Sequence, residues 1–180
     1  MKGLVFTTFY DFCEANYGND ILDDVIQAAD LPNDGGYTSV GTYSFSEMVS
    51  LVTALSKISG KPLDATLEKF GVHCFTTWVK TWPSHFDGKN LFDILASVDE
   101  FHEREVRRIY PDAELPSFRV VSRTEDRLVL GYRSCKPLAD LAGGVIKGVA
   151  VHLNESVRLR HEPAQDAEGK YVRITINRRG

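Results

Sequence analysis

The chain has 180 residues, of which 43% are hydrophobic and 26% are charged, and its formal net charge is −4. This length and composition suit one globular domain, residues 1–180, with a sizeable core, and they exclude a disordered chain. Because the chain has 21 basic and 25 acidic residues, its charge balance argues against a nucleic-acid partner.

The start of the chain, MKGLVFTTFYDFCEANYG, interleaves Asp11 and Glu14 with apolar side chains, so it does not resemble a signal peptide. No apolar run approaches the roughly 20 residues of a membrane span. We therefore expect a cytoplasmic protein without a membrane partner. The dispersed thiols of Cys13, Cys74 and Cys135 fit neither a disulfide framework nor a zinc motif, and we interpret them as buried.

Helices dominate the first part of the chain. The apolar spacing and the punctuating glycines and prolines predict helices over residues 4–17, 20–29, 44–59, 63–80 and 89–110. The pattern then changes to SFRVVSR and RLVLGYRS, a predicted hairpin, a helix over residues 138–153, and a strand pair, SVRLRHEP and KYVRITINR, around an AQDAEG loop. This order predicts an α+β class, with an N-terminal helical part packed against a C-terminal antiparallel sheet and helix.

One histidine occupies an unusual place in the predicted helix over residues 89–110. His102 stands one turn after Val98 and one turn before Val106, so it lies on the apolar side of the helix. Such an imidazole is either a core histidine bonded to a carbonyl or water, or a ligand. Helical spacing alone favours the first interpretation.

Polar side chains recur in the segment GYRSCKPL. In a strand, Tyr132, Ser134 and Lys136 would project from the same face. Two hydroxyls and an ammonium at this spacing suit the binding of a carboxylate pair, because each hydroxyl donates one hydrogen bond and the cation adds charge. The alternative is a solvent-facing strand, which this segment alone favours.

Taken together, MKG at the start, His102, Pro116 and the Tyr132-x-Ser134-x-Lys136 motif resemble the haem nitric oxide/oxygen binding (H-NOX) family over essentially the whole chain. The resemblance implies the H-NOX fold, with haem b (iron protoporphyrin IX) buried between the two parts. It makes His102 the proximal iron ligand, lets Pro116 press on the porphyrin, and assigns the propionates to the motif. The family's arginine is Lys136 here, and an ammonium has less fixed geometry than a guanidinium.

The resemblance also implies a distal wall on the other side of the haem. It falls on these side chains: Val5, Phe9, Cys74, Phe75, Trp78, Leu141 and Val145. In oxygen-binding relatives a distal tyrosine lies five residues beyond the motif's arginine, and the same count reaches Leu141, which has no donor. Cys74 and the Trp78 indole are the nearby candidate donors, but a thiol is a weak donor and the indole would have to aim its N–H at the iron. We therefore expect a sensor of nitric oxide that also binds carbon monoxide and forms no stable oxygen complex.

Standalone bacterial members of the family act on a separate histidine kinase or diguanylate cyclase, so the resemblance implies such a partner and no catalysis by this chain. Two alternatives are a haem-free domain that binds an apolar ligand or a protein, and an oxygen-binding haem protein. An enzyme is disfavoured because neither GxSxG nor HExxH is present. We interpret His85 and His152 as surface or packing residues, and His161 lacks a nearby cysteine for a zinc site.

Overall fold

The computed structural model describes residues 1–179, and Gly180 lies outside the described residues. The helices are α1 Gly3–Tyr17, α2 Asn19–Ala29, α3 Phe45–Ser59, α4 Leu63–Trp78, α5 Leu91–Ala96, α6 Val98–Phe101, α7 Arg107–Ile109 and α8 Ala139–His152. A 3-10 turn, Pro83–His85, follows α4, and a π-helical turn, His102–Val106, joins α6 to α7. The strands are β1 Ser117–Arg123, β2 Arg127–Arg133, β3 Val157–Asp166 and β4 Gly169–Arg178.

Local signals fix the ends of α3. The Ser44 hydroxyl accepts a hydrogen bond from a backbone N–H of the first turn, and the Glu47 carboxylate accepts one from the Ser44 N–H, which together form a capping box. At the other end Gly60 adopts the left-handed conformation, with φ 67°. Glycine suits this position because it has no Cβ to clash.

All four strands pair antiparallel in the order β1-β2-β4-β3. The β3–β4 pairing continues to Asp166 opposite Gly169, so the strands are joined by a two-residue turn. The predicted AQDAEG loop is therefore mostly strand. Its polar composition concealed this, because the outer end of the hairpin is exposed and needs no apolar alternation.

The core consists of two clusters that flank α4 and α8. The helical core, centred on α1, α3 and α4, includes Phe6, Phe9, Phe12, Leu51, Leu55 and Phe70. The sheet core, which joins α5 and α8 to the sheet, includes Leu91, Phe92, Leu128, Leu130, Ile174 and Ile176. The structure confirms the predicted α+β class.

The interface between α4 and α8 depends on glycines. A Cβ added to Gly144 would lie 2.1 Å from the Glu68 carbonyl oxygen, and one added to Gly71 would lie 2.2 Å from the Leu141 carbonyl oxygen. Neither position has room for a side chain, so the two backbones touch and the pair of helices forms a closely packed unit.

Two predicted elements are interrupted. The helix expected over residues 89–110 breaks at Ser97, whose hydroxyl donates to the Ile94 carbonyl oxygen at 3.0 Å, and it changes to π-helical geometry at His102. Strand β2 ends at Arg133, so the prediction that a strand places three motif residues on one face is wrong. The Ser134 hydroxyl instead accepts the Lys136 N–H at 3.0 Å and closes a local turn.

Candidate functional site

A cavity of about 540 Å³ lies between the two cores. Its size falls within the range of roughly 300–1,000 Å³ that is typical of small-molecule sites. The predicted site residues that line it are Val5, Phe75, Trp78, His102, Pro116, Tyr132, Ser134, Lys136, Leu141 and Val145. The fold thus brings residues from both parts of the chain to one surface.

His102 begins the π-helical turn and reaches this cavity. Its Nδ1 atom is enclosed and has no hydrogen-bond partner among the described residues. Burial lowers the pKa of His102, and the charge of Asp99 and the nearby Pro116 carbonyl oppose this shift only in part. The ring is therefore neutral near pH 7, which is the form that coordinates a metal ion.

Asp99 connects the His102 segment to the sheet. One of its carboxylate oxygens accepts the Phe118 backbone N–H at 2.7 Å, and the other lies 3.4 Å from the Ser117 hydroxyl. The Phe118 ring, opposite Tyr132 in the β1–β2 pairing, lies 6.1 Å from the His102 ring. A displacement of His102 would therefore act directly on the start of β1.

The motif residues gather at a polar end of the cavity. The Tyr132 hydroxyl donates to the Lys136 carbonyl oxygen at 3.3 Å, and burial raises the pKa of this tyrosine. The Lys136 ammonium lies 2.5 Å from a Glu114 carboxylate oxygen. Its side chain is only 10% exposed, whereas that of Glu114 is 70% exposed. The cation thus belongs to the cavity wall and its acidic partner reaches it from the solvent side.

A second cation at the polar end was missed by the sequence analysis. Lys2 lines the cavity, and its ammonium donates to the Thr42 hydroxyl at 2.7 Å and lies 2.6 Å from an Asp112 carboxylate oxygen. The α-ammonium of Met1 donates to the Tyr43 carbonyl oxygen at 2.7 Å. The sequence signal that could have indicated such a cation was the pair of acids, Asp112 and Glu114, a few residues before Pro116.

Two of the predicted distal residues do not line the cavity. Phe9 and Cys74 are fully buried in the helical core, so the predicted wall is corrected at these positions. Both lie one layer behind the surface because the apolar faces of α1 and α4 are broad enough to serve the core and the cavity. Burial raises the pKa of Cys74 well above its usual value, so the thiol stays protonated.

The indole N–H of Trp78 forms its hydrogen bond with another side chain rather than pointing into the cavity. Its N–H donates to the Thr8 hydroxyl at 3.4 Å, and that hydroxyl in turn donates to the Leu4 carbonyl oxygen at 2.7 Å. Neither of the distal donors considered from the sequence, Trp78 or Cys74, therefore directs a proton into the cavity.

The other end of the cavity is aromatic and was also missed. Trp82 and His85 contact the Phe101 ring at centroid distances of 5.5 and 4.3 Å, and Phe86 contacts Phe75 at 5.2 Å. Burial lowers the pKa of His85. The three aromatic or imidazole side chains between residues 82 and 86 were the available signal, but the turn formers beside them suggested a surface loop.

The other ionisable groups of residues 1–179 form no second site of this kind. His161 Nδ1 lies 3.2 Å from an Asp140 carboxylate oxygen. Within residues 1–179, no group of three or more His, Cys, Asp or Glu side chains is placed to hold a metal ion. No helix in that same range is long and apolar enough to cross a membrane.

Fold and site define an α+β protein with a ligand-sized cavity whose wall carries two half-buried histidines, His102 and His85, each with a pKa lowered by burial. The Haem-NO-binding family model matches residues 2–161, and the chain belongs to this family, also called H-NOX. The family consists of haem-binding gas-sensor domains.

Solved structures of H-NOX proteins are similar over the whole chain. The Fe(II) unliganded H-NOX protein from K. algicida is 33% identical, with a TM-score of 0.89, and the match covers 100% of this chain and 97% of that one. A triple mutant of an S. oneidensis H-NOX protein in the Fe(II) ligation state is 20% identical, with a TM-score of 0.88 and coverages of 100% and 97%. An oxygen-binding H-NOX domain related to soluble guanylate cyclases, in its oxygen complex, is 21% identical, with a TM-score of 0.81 and coverages of 100% and 96%.

Proposed function

We propose that this protein is a gas sensor in which iron protoporphyrin IX, haem b, occupies the cavity and His102 is the proximal ligand of the iron. The observation that carries the proposal is the half-buried imidazole of His102, which lines the cavity and whose pKa is lowered by burial. A neutral imidazole is a common axial ligand of haem iron. The residues present therefore fit the cofactor.

The polar end of the cavity suits the carboxylates of this cofactor. Tyr132 and Ser134, which carry hydroxyls, and Lys136, which carries an ammonium, all line the cavity. Hydrogen bonds to a carboxylate from a cation and from hydroxyls are stronger than those between neutral groups. Pro116 lines the same cavity between the His102 segment and β1, so it is placed to press on the ring.

The wall residues favour nitric oxide and carbon monoxide over oxygen. When bound, haem supplies an iron atom with one coordination position for a diatomic gas. A stable oxygen complex needs a hydrogen-bond donor, because bound dioxygen carries partial negative charge. Val5, Leu141 and Val145 line the cavity with apolar side chains, and the Trp78 N–H is directed to Thr8. We therefore assign nitric oxide and carbon monoxide as ligands and exclude a stable oxygen complex.

The signal would pass through the His102 segment to a separate protein, a histidine kinase or a diguanylate cyclase, in the cytoplasm. A change in the pull on His102 acts on the π-helical turn and, through Asp99, on β1. Such a movement regulates a partner only if the partner binds the two conformations with different affinities. In this proposal the chain is a sensor and has no catalytic activity of its own.

The visible absorption spectrum tests the proposal directly. The purified full chain is reconstituted with haem, reduced without oxygen, and exposed to nitric oxide, carbon monoxide or air. We expect a five-coordinate ferrous spectrum that changes with nitric oxide and carbon monoxide and gives no stable oxy form in air. A protein that takes up no haem would overturn the proposal, and a stable oxy spectrum would overturn only the choice of gas.

A further inference from the structure

We infer that Lys2 is a second anchoring cation for the carboxylates of the proposed haem, and that Asp112 and Glu114 compete with those carboxylates for Lys2 and Lys136. This inference rests on the proposed function, because it concerns how the same cavity holds the same cofactor. It adds one binding residue and two opposing residues that the Tyr132-x-Ser134-x-Lys136 motif does not include.

The two ammonium groups share one environment. Both line the cavity, and the side chains of Lys2 and Lys136 are only 15% and 10% exposed. Lys2 is held in place by the Thr42 hydroxyl and lies 5.9 Å from the centre of the Tyr110 ring. An ammonium with so little contact with water needs an anionic partner. Lys2 is thus as well placed as Lys136 to receive a carboxylate inside the cavity.

Each of the two lysines already pairs with one carboxylate, and both carboxylates come from the same short segment. Asp112 pairs with Lys2 at 2.6 Å, and Glu114 pairs with Lys136 at 2.5 Å. These acids are two positions apart, so their Cα atoms are separated by at most about 7 Å. The two carboxylates of iron protoporphyrin IX leave the same edge of the ring. They therefore offer Lys2 and Lys136 a pair of neighbouring carboxylates, as the two acids do.

Asp112 and Glu114 are also easily displaced from the two lysines. The side chains of Asp112 and Glu114 are both 70% exposed, and they lie in the segment between α7 and β1. Exposed carboxylates regain their hydration when an ion pair opens, so the acids lose little on leaving, whereas the lysines still need an anionic partner. A cofactor carboxylate delivered by a bound ring would displace them, and the acids would then act as competitors that weaken retention of the cofactor.

The rate of haem loss distinguishes this arrangement from a merely structural one. Haem-loaded full chain is mixed with excess apomyoglobin, and haem transfer is followed by visible absorbance. We expect Lys2→Gln to speed haem loss roughly three- to tenfold and Asp112→Asn to slow it roughly two- to threefold. Lys61→Gln, the same change at an exposed lysine away from the cavity, should leave the rate unchanged. If the Lys2–Asp112 pair only clamps the segment, both variants at that pair accelerate loss, which overturns the inference.

A second cofactor makes the test independent of folding. Iron protoporphyrin IX dimethyl ester has the same ring but no carboxylate charge. The effect of Lys2→Gln should disappear with this ester, and an equal acceleration for both cofactors would overturn the inference. Wild-type protein that takes up no haem would contradict the proposed function instead. Wild-type protein that retains haem, with no difference between Lys2→Gln and Lys61→Gln, would contradict only the role of Lys2.

Discussion

The cavity is bordered by two regions of opposite construction. Helices α4 and α8 meet at Gly71 and Gly144, where each backbone approaches the other too closely for any side chain. The segment that carries His102 is instead divided into three short helices and a π-helical turn, with a break at Ser97. The first region resists deformation because its packing allows no second arrangement. The second region has the weaker local structure.

Surface charges do little to stiffen the His102 segment. Its ion pairs, such as Glu100–Arg104 and Glu103–Arg107, join neighbouring turns and are largely exposed. Pairs of this kind contribute about 0.3–0.5 kcal/mol each. A π-helical turn inside an α-helix is also often found at functional sites. We call the α4–α8 pair the fixed wall and the α5–α7 segment the deformable region. In the proposed function, the fixed wall selects the gas and the deformable region transmits the signal that a gas has bound.

The largest expected effect comes from removing the proposed iron ligand in the deformable region. His102→Gly should lower haem affinity more than about 100-fold, because changes to groups that only support a ligand already cost 10–100-fold. Added imidazole should restore binding by filling the space that the side chain leaves. Haem titration followed by visible absorbance measures both effects. His152→Ala, at an exposed position, is the control, and unchanged ligation in His102→Gly would assign the ligand to another residue.

The fixed wall is tested by Gly144→Ala. Alanine at a helical glycine normally adds about 0.5–1 kcal/mol of stability. Here the new methyl group would meet the Glu68 carbonyl oxygen at 2.1 Å, so we expect the free energy of unfolding to fall by about 1–3 kcal/mol. Denaturant unfolding followed by circular dichroism measures the change. Lys69→Ala, at an exposed position of α4, should leave the free energy of unfolding nearly unchanged. A more stable Gly144→Ala would show that α4 and α8 can move apart to accommodate the methyl group.

A smaller effect is expected when the fixed wall gains a donor. Leu141→Tyr places a hydroxyl on the cavity lining, and one hydrogen bond to bound oxygen of about 1.4 kcal/mol raises its affinity roughly tenfold. Leu141→Phe is the matched control, since it adds the ring without the hydroxyl. Oxygen titration of the ferrous protein measures the difference. Equal oxygen affinities of the two variants would show that this position does not face the bound gas.

Much of the fold was predictable because each element is consistent with its local sequence. The apolar spacing of α1, the capping residues of α3 and the alternation in β2 each point to the structure that forms. The π-helical turn at His102 was not predictable, since the same apolar spacing fits an uninterrupted α-helix. Its geometry depends on which carbonyl each N–H meets, and residue types do not record that choice.

The site divides in the same way. His102 is an anomaly visible in the sequence, a polar residue on an apolar face. Lys2 is not, because a lysine near the start of a chain is ordinarily solvated, and only the fold brings it to the polar end of the cavity. Phe9 and Cys74 show the reverse error. Helical spacing places them on the correct side of α1 and α4 but does not distinguish the cavity surface from the layer behind it.

The smallest expected effect is a dependence of stability on pH within the fixed region. His73 of α4 lies 5.6 Å from the Phe12 ring, and its Nε2 has no hydrogen-bond partner in the part of the chain that the structure describes. Burial lowers the pKa of His73 below 6.5, opposed by Asp11 and assisted by Lys80. The folded protein therefore binds a proton at His73 less readily than the unfolded chain does.

The contribution of His73 to the free energy of unfolding is fully present above pH 6.5 and is lost as the pH falls below it. Denaturant unfolding between pH 8 and about pH 5 should give a shallower slope for His73→Gln than for wild type. The exposed His152→Gln is the control. Identical slopes for wild type and His73→Gln would mean that protonation of His73 does not contribute to the pH dependence of stability.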